Sequence, residues 1–408
     1  MKIALLGLGT VGTGVVNVLE NNKEKIAKLT GETLTISHVL VNNVDKQREV
    51  ELGGAIITNN IDEILSDDTI DIVIEVMGGI GDTKDILNTF LEKGIHVVSA
   101  NKDMLAEHID ELAETANKND AQLLYEASVA GGIPVIHAIE NSLNSNQITK
   151  VMGILNGTTN YILSKMTIDG WDYDKALDDA KAKGYAEADP TNDVEGIDAQ
   201  RKIVLLSRLA YDRKVDIAEV PVTGISGVDI ADIRNADNEN LTLKLLGKSE
   251  FRDNTLSISV EPILLPSDHQ LAGVNYEKNA VFVNGNAIGE AMFYGPGAGS
   301  LETASAVVSD LINVIRTKAA RQMNIAPDTP AEIKSGGNSG EYYIRLKSNE
   351  SEDKTASVLN DLSIGFSRIE ADKDFVVRTE TIDSGKLDAL RQNDAITVEA
   401  SYQIDGVE

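Results

Sequence analysis

Residues 2–20, KIALLGLGTVGTGVVNVLE, decide the fold of the first third of the chain. A short apolar strand, Ile3 to Leu6, leads directly into Gly7-Leu8-Gly9-Thr10-Val11-Gly12, and an apolar helix follows. This loop fits the pattern G-x-G-x-x-G. Two of its glycines let backbone amides approach a pyrophosphate, and the third lets helix and strand pack closely. A tight turn alone would explain the glycines, but their place between a strand and a helix predicts dinucleotide binding.

The segments that follow alternate between strand and helix. Short apolar runs alternate with stretches of helical periodicity, and this order predicts a parallel sheet covered on both faces. We therefore expect an α/β fold with an N-terminal Rossmann-like, doubly wound sheet over residues 1–131. The predicted strands are Leu34–Val41, Asp71–Met77, Ile95–Ser99 and Ala121–Tyr125, and the predicted helices are Val11–Leu29, Asp82–Lys93 and Met104–Lys118.

The pattern changes after about Gly131, where helices come first and strands follow. Residues 132–323 are expected to form an α+β domain on a mixed or antiparallel sheet, and a helix at about 301–324 is expected to complete the first domain. The predicted helices are Ile133–Leu143, Thr158–Met166, Tyr173–Lys183, Gly196–Tyr211 and Thr303–Met323, and the predicted strands lie in Thr255–Leu265 and Ala280–Phe293.

The last part of the chain has a different composition and order. Residues 324–340 contain Pro, Gly and Ser and are predicted to be a linker. Residues 341–408 follow the order βαββαβ, which predicts a small independent α+β module. A length of 408 residues also favours two or three domains.

Composition excludes several classes of function. The formal net charge of -28 argues against nucleic acid or an anionic membrane as a partner. There is no cysteine, so thiol catalysis, thiolate metal sites and disulfides are excluded. The five histidines show no metal-ligand spacing. With no signal peptide and no apolar run of membrane-spanning length, we expect a cytoplasmic protein.

The stretch GYAEADPTNDVEGIDAQRK, residues 184–202, places five carboxylates before one lysine. Asp198 and Lys202 are four residues apart on a predicted helix, on the same face as Leu205 and Leu209. The pair therefore heads an inward-pointing apolar stripe. A lysine at such a place can donate a proton, and the nearby acids can bind a cationic ligand group. An ordinary surface ion pair is the alternative interpretation.

Three other places could contribute to a site. Lys102 follows the strand IHVVS, where a doubly wound sheet binds its cofactor, although a surface lysine fits equally well. The helix start Asn156-Gly157-Thr158 suits a carboxylate ligand, or it is simple N-capping. Glu126, beside a glycine-rich turn, could bind a hard cation, or the turn could be an interdomain hinge.

Together these residues resemble homoserine dehydrogenase of the long bacterial type with a C-terminal ACT-like regulatory module. The resemblance covers nearly the whole chain, and its motifs occur in one specific order. They are GLGTVGTGV at Gly7, SANK ending at Lys102, YEASVAGGIP at Tyr125, GILNGTTNYIL at Gly153, GYAEADPTNDVEGIDAQRK at Gly184 and GPGAG at Gly295.

The resemblance implies reversible NAD(P)-dependent interconversion of L-aspartate 4-semialdehyde and L-homoserine, on the route to threonine and methionine. Residues 132–323 become the catalytic and dimerisation domain of a homodimer or homotetramer. The implied residues are Lys202, the proton donor, and Lys102 for catalysis; Glu187, Asp198 and Asp193, with Asn156 and Thr158, for substrate; Gly7, Gly9, Thr10, Val11, Gly12, Lys102, Gly184 and Gly299 for the cofactor; and Glu126 with the backbone oxygens of Val129, Gly131 and Ile133 for a sodium ion.

Several points stay open at this stage. The second strand ends in Val41-Asn42-Asn43 without the usual carboxylate, with Lys46 and Arg48 close by, so the cofactor is NADP or NAD. Residues 348–353 lack the Asp-x-Pro-Gly-like turn of ACT modules, which leaves an amino-acid effector such as threonine undecided. The alternatives in function are a lysine-dependent reductase of another amino-acid-derived aldehyde and a non-catalytic nucleotide or amino-acid sensor.

Overall fold

The computed structural model describes residues 1–317, 323, 332–333, 339–348, 351–371 and 374–406. The chain divides into two compact units, each built from separate stretches of sequence. The first unit contains Met1–Ile148, Val204–Ile217 and Gly285–Pro330, and the second contains Thr149–Ile203, Ala218–Asn284 and Ala331–Glu408. The predicted boundaries at 131, 323 and 341 stay predictions.

The strands are β1 (Lys2–Leu6), β2 (Thr35–Leu40), β3 (Ile56–Thr58), β4 (Ile72–Glu75), β5 (His96–Ser99), β6 (Leu123–Leu124), β7 (Ile148–Ile154), β8 (Leu241–Arg252), β9 (Thr255–Pro266), β10 (Lys278–Gly285), β11 (Gly289–Pro296), β12 (Glu332–Ile333), β13 (Glu341–Ser348), β14 (Phe366–Ile369), β15 (Phe375–Thr379) and β16 (Ile396–Ile404). The α-helices are α1 (Thr10–Asn21), α2 (Lys23–Thr30), α3 (Ile61–Leu65), α4 (Gly81–Glu92), α5 (Lys102–Lys118), α6 (Val135–His137), α7 (Gly157–Asp169), α8 (Tyr173–Ala182), α9 (Thr191–Val194), α10 (Ile197–Tyr211), α11 (Ile230–Asn238), α12 (Ser300–Arg316), α13 (Glu352–Asp361) and α14 (Ser384–Arg391). None of the described helices is long and apolar enough to cross a lipid bilayer.

The first unit contains the predicted parallel sheet. Its strands are ordered β3-β2-β1-β4-β5-β6, and all neighbours are parallel. The order changes direction between β1 and β4, which is the point where open α/β sheets bind their ligands. Helix α12 packs into the core of this unit, where Val307 and Leu311 meet Ile3 and Ile72. The Rossmann-like fold class is confirmed.

The second unit is built on a mixed sheet, as expected. Its strands are ordered β10-β7-β8-β9-β16-β13-β15-β14. The pair β8–β9 is antiparallel and β9–β16 is parallel. The C-terminal residues have the predicted order βαββαβ, from β13 to β16. Because β16 pairs with β9, this segment continues the sheet of the second unit instead of standing apart from it.

Some element predictions differ from the structure. The predicted helix Val11–Leu29 is two helices, α1 and α2, which are separated at Asn22. The long strand β8 and the helix α11 were not predicted, because their mixture of polar and apolar residues gives no clear period. Helix α12 ends at Arg316 in place of Met323. Most of the predicted linker 324–340 lies outside the described residues, as do Asn349 and Glu350 of the ACT-like turn; Glu332–Ile333 pairs with β9.

Candidate active site

The three glycines of the loop between β1 and α1 have different surroundings. Gly7 has a φ of +103°, and a Cβ there would lie 2.8 Å from the Val76 carbonyl oxygen. A Cβ on Gly12 would lie 2.3 Å from the Gly7 carbonyl oxygen. Gly9 has no described atom within 4 Å of its Cβ position. The loop is therefore closed at Gly7 and Gly12 and open at Gly9, which suits a phosphate at the N-terminus of α1.

Thr10, Val11 and Gly299 lie around this helix start. Thr10 is the first residue of α1, Val11 is half-buried beside it, and the Thr10 carbonyl accepts a hydrogen bond of 2.7 Å from the Ser300 hydroxyl. Gly299 precedes Ser300 as the N-cap of α12 and has a φ of +140°. The N-termini of α1 and α12 thus come together within the first unit, although Gly299 is 287 residues from Gly12 by their numbers in the sequence.

Lys102 begins α5, beyond the end of β5, and a hydrogen-bonded chain supports this segment. The Asn101 side chain caps α5 by accepting from the Met104 amide, and the Asn101 amide donates to the Ser99 hydroxyl at 3.1 Å. Ser99 in turn donates to Glu75 at 2.6 Å. Glu75 is fully buried, and burial raises its pKa. Sequence reasoning missed Glu75. The feature that could have indicated it is a carboxylate in the interior of the otherwise apolar predicted strand DIVIEVM.

The end of β2 is an exposed turn held by its own polar groups. The Arg48 guanidinium donates to the carbonyl oxygens of Asn43 and Lys46, both at 2.6 Å. The Asp45 amide donates to the Asn43 side chain at 2.9 Å. Arg48 therefore stands beside the Asn42-Asn43 corner, the position at which this kind of fold meets the ribose of a dinucleotide.

Lys202 lies inside the second unit, as the amphipathic pattern of α10 predicted. Its side chain is 11% exposed. The Lys202 ammonium donates to Asp198 Oδ2 at 2.6 Å and to the Leu155 carbonyl oxygen at 2.7 Å. The surface ion pair considered as an alternative is wrong, because both partners are nearly buried. The Leu155 carbonyl was not foreseen, since it lies 47 residues away in sequence.

Asn156 joins the acids of this site. Its Nδ2 donates to Asp193 at 2.7 Å and to Asp198 at 2.9 Å. Its Oδ1 accepts from the Thr159 amide and caps helix α7. Burial raises the pKa of Asp193, and the neighbouring charge of Asp198 raises it further. Asn156, Asp193, Asp198 and Lys202 form one hydrogen-bonded group, which we call the lysine–acid cluster.

Three further predicted residues are not members of this hydrogen-bonded group. The Thr158 hydroxyl donates to the Tyr185 carbonyl oxygen at 2.5 Å, and its side chain also lies beside the Asp193 carboxylate, whose pKa it lowers against the effect of burial. Glu187 is exposed, and in the described part of the chain its side chain makes no hydrogen bond or ion pair. Gly184 is also exposed, with a φ of +77°.

Glu126 is the centre of a buried polar group in the first unit. Its carboxylate accepts from the Ile136 amide at 2.9 Å and from the His137 amide at 2.6 Å. His137 Nε2 is 2.6 Å from Asp310 Oδ1, and Asp310 Oδ2 accepts from the Glu126 amide. Burial raises the pKa of Glu126. The described residues contain no cluster of three or more His, Asp or Glu side chains arranged to hold a metal ion.

The backbone beside Glu126 is tightly turned. Ala130 and Gly131 both have a φ of 55°. A Cβ on Gly131 would lie 2.4 Å from the Gly297 carbonyl oxygen, so only glycine fits there. The segment 126–133, with Val129 and Ile133 buried, is thus a compact loop with a carboxylate at its start. His137 and Asp310 were missed by sequence reasoning, because they are 173 residues apart.

A parallel sheet with an open glycine loop, and a buried ammonium among carboxylates in a second unit, are features of an NAD(P)-dependent oxidoreductase that acts on a CH–OH group. Two family models match the chain: the homoserine dehydrogenase NAD-binding domain over residues 7–126 and homoserine dehydrogenase over residues 134–312. The chain belongs to the homoserine dehydrogenase family, as the resemblance predicted.

Individual relatives agree with the family models. The chain is 41% identical over 376 residues to homoserine dehydrogenase of Bacillus subtilis, and this matched region covers 90% of the chain and 87% of that protein. It is similar to a crystal structure of homoserine dehydrogenase from Thiobacillus denitrificans, with a TM-score of 0.92, 34% identity and coverage of 99% and 98% of the two chains. A hyperthermophilic archaeal homoserine dehydrogenase in complex with NADPH has a TM-score of 0.64 and 26% identity, and covers 78% of this chain and 99% of its own.

Proposed function

We propose that Lys202 is the proton donor when L-aspartate 4-semialdehyde is reduced to L-homoserine. The bound nicotinamide cofactor supplies the hydride. As the aldehyde carbon is reduced, negative charge develops on its oxygen, and an ammonium at that oxygen stabilises the charge and supplies the proton. The observation that carries the proposal is the Lys202 ammonium, nearly buried and held by Asp198 and the Leu155 carbonyl.

Two hydrogen bonds orient this ammonium, and among the described residues its third N–H has no acceptor. An ammonium has three donors. Asp198 and Leu155 accept two of them, at 2.6 and 2.7 Å. We assign the third donor to the reacting oxygen. In the reverse direction the same nitrogen accepts the proton of the homoserine hydroxyl.

We propose that Asp193 and Asp198 bind the α-ammonium of the substrate, with the exposed Glu187 approaching from the surface. Asn156 holds the two aspartates 2.7 and 2.9 Å from its own nitrogen, so their charge is concentrated at one place. Both hydrogens of that nitrogen are thereby used. The substrate carboxylate is assigned to the first-turn amides of Gly157 and Thr158, because the first amides of a helix lack intrahelical acceptors.

The experiment that tests this assignment compares homoserine with 4-hydroxybutanoate, which has the same alcohol and carboxylate but no α-ammonium. Asp193→Asn is isosteric and does not remove the Asp198 partner of Lys202. We expect it to lower kcat/KM for homoserine about 100-fold, as for a lost charge-assisted contact of about 3 kcal/mol, and to change the slow oxidation of 4-hydroxybutanoate less than about threefold. An equal fall in kcat/KM for both alcohols would show that Asp193 does not bind the α-ammonium of the substrate.

The nucleotide is proposed to bind at Gly7, Gly9, Thr10, Val11 and Gly12, with Gly299, Gly184 and Lys102 contributing, and Lys102 assisting proton transfer. We propose NADP or NAD as the cofactor. Arg48, beside an Asn42-Asn43 corner without a carboxylate, supports acceptance of a 2′-phosphate. Initial rates with NAD and NADP, in wild type and Arg48→Gln, test this: only the NADP rate is expected to fall.

A sodium ion is proposed at Glu126 with the backbone oxygens of Val129, Gly131 and Ile133. These hard oxygen donors fit an alkali-metal ion, and each Glu126 oxygen retains a lone pair beyond the amide it already accepts. The test is the melting temperature in NaCl, KCl and choline chloride at equal ionic strength. A specific rise with sodium in wild type, absent in Glu126→Gln, is expected.

The remaining proposals concern the molecule in the cell. We propose a cytoplasmic homodimer or homotetramer in threonine and methionine biosynthesis, with 341–408 as an ACT-like module for an amino-acid effector. Sedimentation gives the oligomer size. Homoserine oxidation measured with and without threonine tests the effector: a response that disappears when residues 341–408 are perturbed is expected.

A further inference from the structure

Lys244 is a buried cation that the proposed chemistry does not use. It lies in the middle of β8, and only 1% of the residue is exposed. Within the described part of the chain no carboxylate lies within ion-pair distance of it. Its ammonium instead donates to three neutral oxygens: the Val274 carbonyl at 2.6 Å, Asn160 Oδ1 at 3.2 Å and Asn275 Oδ1 at 3.2 Å.

This arrangement is unusual for a lysine. A buried charge is normally paired with an opposite charge, because burial without a partner is costly. Burial alone lowers the pKa of Lys244 to about 7. The three acceptors oppose that loss of charge, since only the ammonium has three N–H donors, whereas the neutral amine has two. The Lys244 ammonium is therefore surrounded by neutral oxygen acceptors and by no counter-charge among the described residues.

The shell is connected to helix α7 through Asn160. The two hydrogens of Asn160 Nδ2 are shared among the carbonyl oxygens of Val274, Tyr276 and Lys278, which lie 2.9 to 3.1 Å from this nitrogen. The Tyr276 amide, at a residue with a φ of 60°, donates to the Ser164 hydroxyl, also on α7. Lys244 and Asn160 together therefore fix the segment 274–278 against this helix.

That segment supports the first turn of α7. A Cβ on Gly157 would lie 2.7 Å from the Glu277 carbonyl oxygen, so segment and helix start are in direct contact. Gly157 follows Asn156, which holds Asp193 and Asp198. The segment 274–278 is thus connected to the lysine–acid cluster through two successive residues, Gly157 and Asn156.

We propose that the Lys244 ammonium acts as a tethered monovalent cation, which organises segment 274–278 and thereby positions the first turn of α7 for substrate. Lys244 is a positioning residue, and this part of the inference rests on the proposed function of that turn. The cation-like nature of the Lys244 position does not rest on it and can be tested separately.

The central experiment is chemical rescue of Lys244→Ala, which replaces the buried side chain by a cavity with the three oxygens at its end. We expect kcat/KM for homoserine to fall about 100-fold through displacement of the helix start. Nucleotide Kd should stay within about twofold, because the glycine loop is untouched. Ammonium or methylammonium chloride should restore activity along a saturable curve, whereas tetramethylammonium chloride at the same ionic strength should not, since it is too large.

Lys244→Met is the matched control, because its side chain fills the cavity and leaves no room for a cation. It should be as impaired as Lys244→Ala and should not respond to ammonium. Rescue by all salts alike, or rescue of both variants, would overturn the proposal, as would a folded Lys244→Ala variant with normal kcat/KM.

Melting temperature supplies a readout that is independent of catalysis. Lys244→Ala should be stabilised by ammonium in a saturable way, and wild type should not. If Lys244→Ala is too unstable to assay at low salt, it can be purified in ammonium chloride, and removal of the ammonium chloride should then unfold it. Equal melting temperatures in ammonium chloride and sodium chloride would count against a cation site. If ammonium stabilises the variant but Asp193→Asn treats both alcohols alike, the substrate assignment fails while the cation site stands.

Discussion

Replacement of Lys202 by methionine is the most direct test of the proposed chemistry. Methionine keeps an unbranched apolar stem of four atoms, as in lysine, and lacks the terminal ammonium. A positioned general acid contributes about 10²- to 10⁴-fold, and one donor to a developing oxyanion about 10²- to 10³-fold. In the proposed mechanism one nitrogen performs both tasks, so the effects overlap instead of multiplying. We expect kcat to fall about 10³-fold, or about 4 kcal/mol at 1.36 kcal/mol for each factor of ten.

The structure also sets the expected effect of this change on stability. Lys202→Met leaves Asp198 without its cation, but the Asn156 amide still donates to Asp198 at 2.9 Å. The free energy of unfolding should therefore fall by about 1–3 kcal/mol, as when one buried polar group loses a hydrogen-bond partner. This is less than the roughly 3–5 kcal/mol expected for a buried charge with no remaining partner. A fold that survives makes the kinetic result interpretable.

The assay is homoserine oxidation followed by cofactor absorbance, with nucleotide Kd and melting temperature measured on the same preparation. Lys118→Met is the control, because Lys118 also pairs with an acid at four residues' spacing, Glu114 at 3.6 Å, but is 74% exposed. It should leave kcat unchanged. A Lys202→Met protein that folds, binds nucleotide and turns over within about threefold of wild type would refute Lys202 as the proton donor.

Other changes have equally definite outcomes. Gly9→Ala should leave the melting temperature unchanged, because its Cβ position is open, and should raise the nucleotide Kd about tenfold or more by blocking the pyrophosphate. Gly12→Ala should in addition lower the free energy of unfolding by about 1–3 kcal/mol, because its Cβ would lie 2.3 Å from the Gly7 carbonyl oxygen. Equal stability losses in the two variants would contradict this. Asp405 lies between Lys248 and Lys150; burial opposes ionisation, but the two lysines hold its pKa well below the usual range. The ion pairs of Asp405 therefore stabilise the fold fully above about pH 4, and this stabilisation is lost as the pH falls further. In urea titrations, Asp405→Asn should lower the free energy of unfolding by about 3 kcal/mol at pH 7, and the difference from wild type should shrink in acid. A difference that does not depend on pH would exclude the ion pairs as its cause.

The fold of the first unit was predictable because its signals are local. The strand Ile3–Leu6, the glycine loop and the helix after it are contiguous, and the later apolar strands repeat the same alternation. The boundaries shifted by a few residues where capping decides them, as at Asn101, whose side chain caps α5 so that the helix begins at Lys102, two residues before the predicted Met104. Strand β8 was missed because Lys244 and Lys248 interrupt its apolar pattern, and the Val274 carbonyl and Asp405, with which they interact, are distant in the sequence.

The candidate site was predictable only where one helix carries it. Asp198 and Lys202 are four residues apart, so helical geometry alone brings them together. Asn156 reaches Asp198 across 42 residues, and Glu126 and Asp310 are joined across 184. No period or spacing in the sequence encodes such contacts, because they depend on how separate elements pack. The same holds for the contact that Ser300 makes with Thr10 at the start of α1.

The polar groups around α7 show why these unpredicted contacts matter for chemistry. A proton donor must be held in place without being neutralised, and an acid that binds a substrate amine must not be satisfied by a protein cation instead. In the lysine–acid cluster, Lys202 takes one oxygen of Asp198, and a neutral amide, Asn156, spans Asp198 and Asp193. The cluster therefore has two carboxylates for one ammonium and retains net negative charge. We propose that this surplus attracts the substrate's α-ammonium, which would give the acids that precede Lys202 in the sequence a role in substrate binding.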